Sequence, residues 1–205
     1  MRGMLAAAAV LIGIVNSDSV RGDIVYDAIT TNSWHGSIYS EYEYAEDTRL
    51  STGVGTIVRQ VEVGINKSGV FPGAYSGTMT VNLYADAGGI PGTLLASSDV
   101  PVFLPDTSPR ILVASFGGVA VPTQTIWTAV KLSFTTQIAA GIMEGHGMPS
   151  VGTSTDLRAQ RINNQWALFA VAGHSEFIRI NTVPGPWGAG VIGGGIVAWG
   201  RRGRR

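Results

Sequence analysis

Between residues 23 and 182 the apolar positions recur at every second residue far more often than at helical spacing. Over residues 56–65, Ile57, Arg59, Val61, Val63 and Ile65 share one face, with Arg59 as the exception, while Val58, Gln60, Glu62 and Gly64 share the other. Over residues 77–85, Met79, Val81 and Leu83 fall on one side and Thr78, Thr80 and Asn82 on the opposite side. A period of two is that of a strand with one buried and one wet face. Further strands are expected over residues 24–28, 93–97, 110–116, 125–134, 166–172 and 176–181, each bounded by Gly, Pro, Asn, Asp or Ser. Many short strands with little helical period predict an all-β domain, an antiparallel β-sandwich or jelly roll. Helices are expected only at the ends: a signal helix at the N-terminus and a short hydrophobic helix at the C-terminus.

At the first end, Met1-Arg2-Gly3 supplies a positive start and Met4 to Val15 is an uncharged apolar run of 12 residues. That length lies within the ~7–15 of a signal-peptide core and below the ~20 of a membrane-spanning helix. Polar Asn16-Ser17-Asp18-Ser19 ends the run, and Ser17, Ser19 and Gly22 offer cleavage points. Residues 1–22 therefore read as an export signal with signal peptidase as a partner, and residues 23–182 as the folded body. A buried N-terminal helix of a cytosolic domain is the alternative.

At the other end the chain divides into Val183-Pro184-Gly185-Pro186, an apolar stretch from Trp187 to Trp199, and the basic cluster Arg201, Arg202, Arg204 and Arg205. Prolines break a preceding strand and keep the junction extended. The apolar stretch partitions into lipid, and the arginines stay on the cytoplasmic side. Thirteen residues, five of them Gly, make a short span suited to a transient hold. This tripartite end, residues 183–205, resembles the PEP-CTERM sorting signal of Gram-negative bacteria. There a Pro-Glu-Pro-type motif precedes a hydrophobic segment and an Arg-rich terminus, and a membrane protease, exosortase, processes the tail. Gly185 stands where that signal usually has Glu, and Gly, Ile and Val replace its Leu-rich run. The resemblance implies an exosortase-type enzyme as a partner and membrane contact through the tail before processing. It also implies a destination at the envelope surface or in the extracellular matrix of a Gram-negative bacterium. An ordinary short anchor, or a low-complexity tail, is the alternative reading.

Residues 81–97, VNLYADAGGIPGTLLAS, resemble a strand–loop–strand of exported bacterial β-domains, including those called choice-of-anchor domains. The SVGTS segment at 150–154, Trp166 and the closing Phe177-Ile178-Arg179-Ile180 are compatible with such a domain. The resemblance implies a fold and no chemistry.

Composition narrows the function classes. The net charge of zero conceals a body that carries eight bases against 13 acids between residues 23 and 186. A body of that sign repels polyphosphate, which argues against nucleic acid as a partner. The absence of Cys excludes a disulfide framework, a thiolate nucleophile and thiolate-held metals. His35, His146 and His174 lack metal-motif spacing, and His146 and His174 read as loop positions. There is no Gly-x-Ser-x-Gly elbow and no phosphate loop in the required context. The expectation is no catalytic set, no cofactor and no metal.

The segment IYSEYEYAED combines Tyr39, Tyr42 and Tyr44 with Glu41, Glu43, Glu46 and Asp47. Such carboxylates and aromatics suit calcium, stacking on sugar rings, or a glycosidase pair; an exposed aromatic strand or loop is the plainer reading. Asp86 suits a turn cap, with a calcium ligand as the alternative. Trp127 reads as core, whereas Trp34 and Trp166 flank polar turns, so Trp34, Tyr42, Tyr44 and Trp166 form the candidate ligand-binding set. Together these features predict an exported, non-enzymatic surface or matrix protein. The alternatives are a carbohydrate-binding module with exopolysaccharide as its partner and, third, a secreted hydrolase.

Overall fold

The computed structural model describes residues 22–29, 33–35, 38–39, 42–67, 73–134, 139–146, 149–171, 174–176 and 178–182. Residues 1–21 and 183–205, where the export signal (apart from Gly22) and the sorting tail are expected, lie outside the described residues. Among the described residues the fold is all-β, two antiparallel sheets with no helix long and apolar enough to cross a membrane.

The eight-stranded sheet holds β1 (Ile24–Asp27), β2 (Ser33–His35), β3 (Ile38–Tyr39), β5 (Ile57–Lys67), β8 (Arg110–Ala120), β10 (Ala139–His146), β13 (His174–Glu176) and β14 (Ile178–Thr182). The six-stranded sheet holds β4 (Glu43–Arg49), β6 (Tyr75–Asp86), β7 (Pro91–Leu104), β9 (Thr125–Phe134), β11 (Leu157–Ile162) and β12 (Gln165–Ala170). Its order is β12-β11-β4-β9-β6-β7. One apolar cluster draws on both sheets: Val58, Val61, Val63 and Ile65 of β5 and Ile178 and Ile180 of β14 join Met79, Val81 and Leu83 of β6 and Ile126, Val130 and Leu132 of β9. Burying such side chains contributes roughly 1.5–3 kcal/mol each and drives the sheets together.

In β5 the buried set steps from Val58 to Val61 before resuming a period of two. The registers with β8 and β14 shift at the same place, so a β-bulge turns Arg59 out to solvent. The expected single alternation through Arg59 is thereby corrected.

Two turns set the geometry near the candidate site. Asn163 and Asn164, with φ of 50° and 64°, close the two-residue hairpin between β11 and β12, where the strand twist demands positive φ. Gly88 and Gly89, with φ of 80° and 87°, close the β6–β7 connection. Gly77 answers a different need: a Cβ there would overlap the Ser133 carbonyl oxygen and stand 2.6 Å from Phe134 Cδ1.

Segment 38–47 departs from the plain expectation of an exposed strand or loop. Residues 43–49 form β4, an interior strand of its sheet, with Glu43, Ala45, Glu46, Asp47 and Thr48 buried. His146 and His174, expected in loops, lie in β10 and β13 directly opposite each other, with Glu144 opposite Glu176 two residues away.

Candidate functional site

Because directly paired residues share a face, register assigns the outer surface of the six-stranded sheet, away from the main core. One row crosses all six strands: Trp166, Arg161, Glu43, Lys131, Thr80 and Asp99. The next row on that face is apolar over its first four strands, Leu168, Ala159, Ala45 and Ala129, followed by Asn82 and Ser97. Ala45, Ala129 and Ala159 form a second cluster with Tyr84 and Trp127, and Trp166 and Leu157 pack on it. The three alanines are fully buried within this cluster.

Glu43 organises the polar half of this face. Its Oε1 accepts from Asn82 Nδ2 at 2.6 Å and from the Tyr84 hydroxyl at 2.8 Å, and its Oε2 accepts from Arg161 Nη1 at 3.3 Å. Tyr84 meets Trp166 edge-on with ring centroids 5.4 Å apart, and the Arg161 guanidinium carbon lies 5.7 Å from the Trp166 ring centroid. Burial first, and then the hydrogen bond to Glu43, hold the Tyr84 hydroxyl well above the usual phenol range, so it remains a donor. Trp166 itself is part-exposed. Thr80 donates to Asp99 at 2.7 Å at the far end of the row. A part-exposed indole bordered by a guanidinium and a phenol, both held by Glu43, presents an apolar platform beside hydrogen-bonding groups.

The four residues expected to bind ligand do not assemble. Trp166 lies on the outer face just described. Tyr44 lies on the other face of the sheet, against the main core, accepting from Gln160 Nε2 at 3.0 Å, and Tyr42 packs edge-on against it at 6.4 Å. Trp34 belongs to the other sheet, where β2 sets it opposite Glu144. Asp86 is occupied as a turn cap. Its carboxylate accepts from the Gly88 amide at 3.3 Å, the Gly89 amide at 3.0 Å and Trp127 Nε1 at 2.9 Å. Among the described residues no group of three or more His, Asp or Glu is arranged to hold a metal ion.

The chain matches no family model, no curated protein and no solved structure.

A second polar cluster lies inside the fold. Glu46 points into the core side of β4, where its Oε1 accepts from the Tyr26 hydroxyl at 2.9 Å and its Oε2 accepts from the Glu176 backbone amide. Arg158 stands opposite Glu46 in the β4–β11 ladder. Burial, and then the charge of Glu176, push the Glu46 carboxyl up to about 8, with Arg158 pulling the other way. Asp47, on the opposite face of β4, accepts from the Ser154 hydroxyl at 2.8 Å and the Thr155 hydroxyl at 2.7 Å, fastening segment 149–156 to the sheet.

Sequence reasoning set Asn82 with Thr78 and Thr80 opposite the core side of their strand, which is the outer face, but missed Tyr84, Lys131 and Arg161 as members of that face. A signal existed: Asn82 continues the polar alternation of Thr78 and Thr80, Tyr84 follows in the same phase, and Asn163-Asn164 announces a hairpin that brings Arg161 opposite Trp166.

Proposed function

We propose that this chain is an exported, non-enzymatic β-sandwich protein of the cell surface or extracellular matrix. Its body binds carbohydrate on the outer face of the six-stranded sheet. The observation that carries the binding reading is the Trp166–Tyr84–Arg161–Glu43 cluster, which places a part-exposed indole beside ordered hydrogen-bonding groups. An indole face covers the apolar C–H surface of a sugar ring while the adjacent Arg161 and Tyr84 meet its hydroxyls, and Lys131 and Asp99, further along the same row, lie in reach of the following units of a longer glycan. The apolar and basic sequence ends, with the Val183-Pro184-Gly185-Pro186 junction, support export followed by exosortase-type processing.

The arrangement of carboxylates supports a role without catalysis. Glu43 and Glu46 lie on opposite faces of β4, so they do not flank one bond. Glu46 and Glu176 converge, yet they are 1% and 3% exposed, shut off from a substrate.

The test is binding of the full protein to arrayed exopolysaccharide fragments, repeated with Trp166→Ala. Binding that Trp166→Ala abolishes without changing the circular dichroism supports the site. Failure of the wild-type protein to bind any glycan overturns it. Intact-mass analysis by cell fraction addresses the tail separately: cleavage near residues 183–186 supports sorting, and an intact C-terminus in the membrane fraction overturns it in favour of an anchor.

A further inference from the structure

The six-stranded sheet ends at β12, whose outer edge carries no partner strand among the described residues. An open edge presents a row of unmatched N–H and C=O groups, and proteins usually blunt it with charge, proline, a bulge or shortness. The other edges of this fold carry such devices. At the far side of the same sheet, β7 contains Pro91, Pro101 and Asp99, and its register with β6 shifts twice. In the other sheet, β8 starts on Arg110, breaks register with β5 and carries Gly118 at φ 104°. The strands β1, β2, β3 and β13 are four residues or fewer.

The last strand, β12, has none of these. Its sequence QWALFA contains no charge, no Pro and no Gly, and it pairs with β11 through all six residues without a shift. It is apolar on both faces, with Leu168 46% exposed on the outer side and Phe169 36% exposed on the other. We infer that β12 is a self-association edge, pairing antiparallel with β12 of a second copy of this chain about a two-fold axis through Leu168.

A second copy fits for two reasons. Antiparallel pairing that keeps each sheet face continuous requires residues of equal parity to meet, and with the axis at the exposed Leu168 that residue meets Leu168 of the second copy while Trp166 meets Ala170. With that register the apolar row Ala129, Ala45, Ala159 and Leu168 runs into its own mirror order across the junction. An uncharged strand also meets no like charge in its copy, whereas Arg161, the nearest outer-face charge, stands one strand in and is offset from its counterpart along the strand. Because the remaining edges are blunted, the assembly closes at two copies and both Trp166 clusters open on one continuous face.

The chain contains no cysteine, so one introduced thiol reports only on contacts between copies. The experiment compares full chains carrying Leu168→Cys with full chains carrying Val54→Cys, a site 72% exposed in the β4–β5 connection. Sedimentation is followed over a concentration series for wild type and Leu168→Lys. The expected results are a discrete wild-type dimer, rapid disulfide trapping at position 168 but not at 54, and a dimer weakened at least about tenfold by Leu168→Lys with unchanged circular dichroism. A monomeric wild type with equal trapping at both positions overturns the inference. So do an open ladder of oligomers and a dimer that Leu168→Lys leaves intact. If the chain is monomeric and the amides of β12 resist hydrogen exchange, the edge is covered by the chain itself, and the inference falls in that case too.

Discussion

Replacing Glu46 by Gln should stabilise this protein, and by an amount that grows with pH. The folded state holds the Glu46 carboxyl near 8 against an ordinary 4.5, because the group is buried beside Glu176. A folded value raised above the unfolded one means that the folded chain binds the extra proton between those limits, so the group's stability contribution is whole below pH 4.5 and is lost as pH rises through about 8. At 1.36 kcal/mol per pKa unit, the interval from 4.5 to 7 corresponds to about 3 kcal/mol that the glutamate costs at neutral pH. Gln removes the titration while keeping the contacts: its amide nitrogen faces the Tyr26 oxygen and its carbonyl accepts from the Glu176 amide. For a chain of this size about 3 kcal/mol raises Tm by roughly 6–12 °C. The assay is urea unfolding of wild type and Glu46→Gln from pH 4 to 9, read as the difference between the two. Taking that difference cancels the titration of all groups that the two proteins share. Near-equal stability at the acid end and a widening gain for Gln toward neutral pH are expected. Curves that stay parallel across the range, or a Gln variant less stable at pH 7, would refute a Glu46 carboxyl held near 8 by burial.

Tyr84→Phe deletes one of three donors to Glu43 and should cost about 1–3 kcal/mol in urea unfolding, since the carboxylate remains buried. Trp127→Phe removes the indole N–H from Asp86 and leaves a void under a fully buried side chain, so a loss of about 2–3 kcal/mol is expected, with faster proteolysis at the Gly88–Gly89 connection. Gly77→Ala drives a methyl into the Ser133 carbonyl across the β6–β9 ladder and should lower stability by about 1–3 kcal/mol, whereas Gly53→Ala, with open space around it, should leave the unfolding midpoint nearly unchanged.

The parts of the fold legible in the sequence are those where one face is apolar and the other polar. Met79, Val81 and Leu83 were placed by alternation alone and form part of the core, and Trp127 was recognised as core inside an apolar strand. Alternation failed where a bulge breaks its phase, as at Arg59, because one inserted residue exchanges the faces of everything on one side of it. It also failed for β4, because both faces of that strand are buried and carry carboxylates, so no apolar stripe distinguishes the strand. The hairpin of β11 and β12 was half seen: Trp166 and its strand were expected, but Arg158 and Arg161 disguise β11 as a solvated segment. Aromatic residues close in sequence, Tyr42 and Tyr44, suggested a binding platform. In the fold their phase is opposite to that of the outer face, and register brings Trp166 instead to Tyr84, a residue 82 positions away in the chain.

The charged residues of β4 and β11 account for how such a site is kept in place. Arg158 stands opposite Glu46 on the core side, and Arg161 stands opposite Glu43 on the outer side. The spacing of three in both strands puts the two pairs on opposite faces of one ladder. A one-residue slip would turn each arginine to the wrong face and leave both buried glutamates without the guanidinium that the register assigns them, a cost of several kcal/mol per charge. The inner pair does little for net stability, since burial already pushes the Glu46 carboxyl up to about 8; its effect is to disfavour alternative registers. The outer pair adds a functional consequence, because Arg161 is also the residue opposite Trp166 in the next ladder. Fixing β11 against β4 therefore fixes the indole against Tyr84 and Glu43, and it does the same for the phase of β12, whose exposed Leu168 sits on the face that register selects. Charge burial that looks unfavourable strand by strand becomes intelligible as the device that aligns one face of the sheet across all six strands.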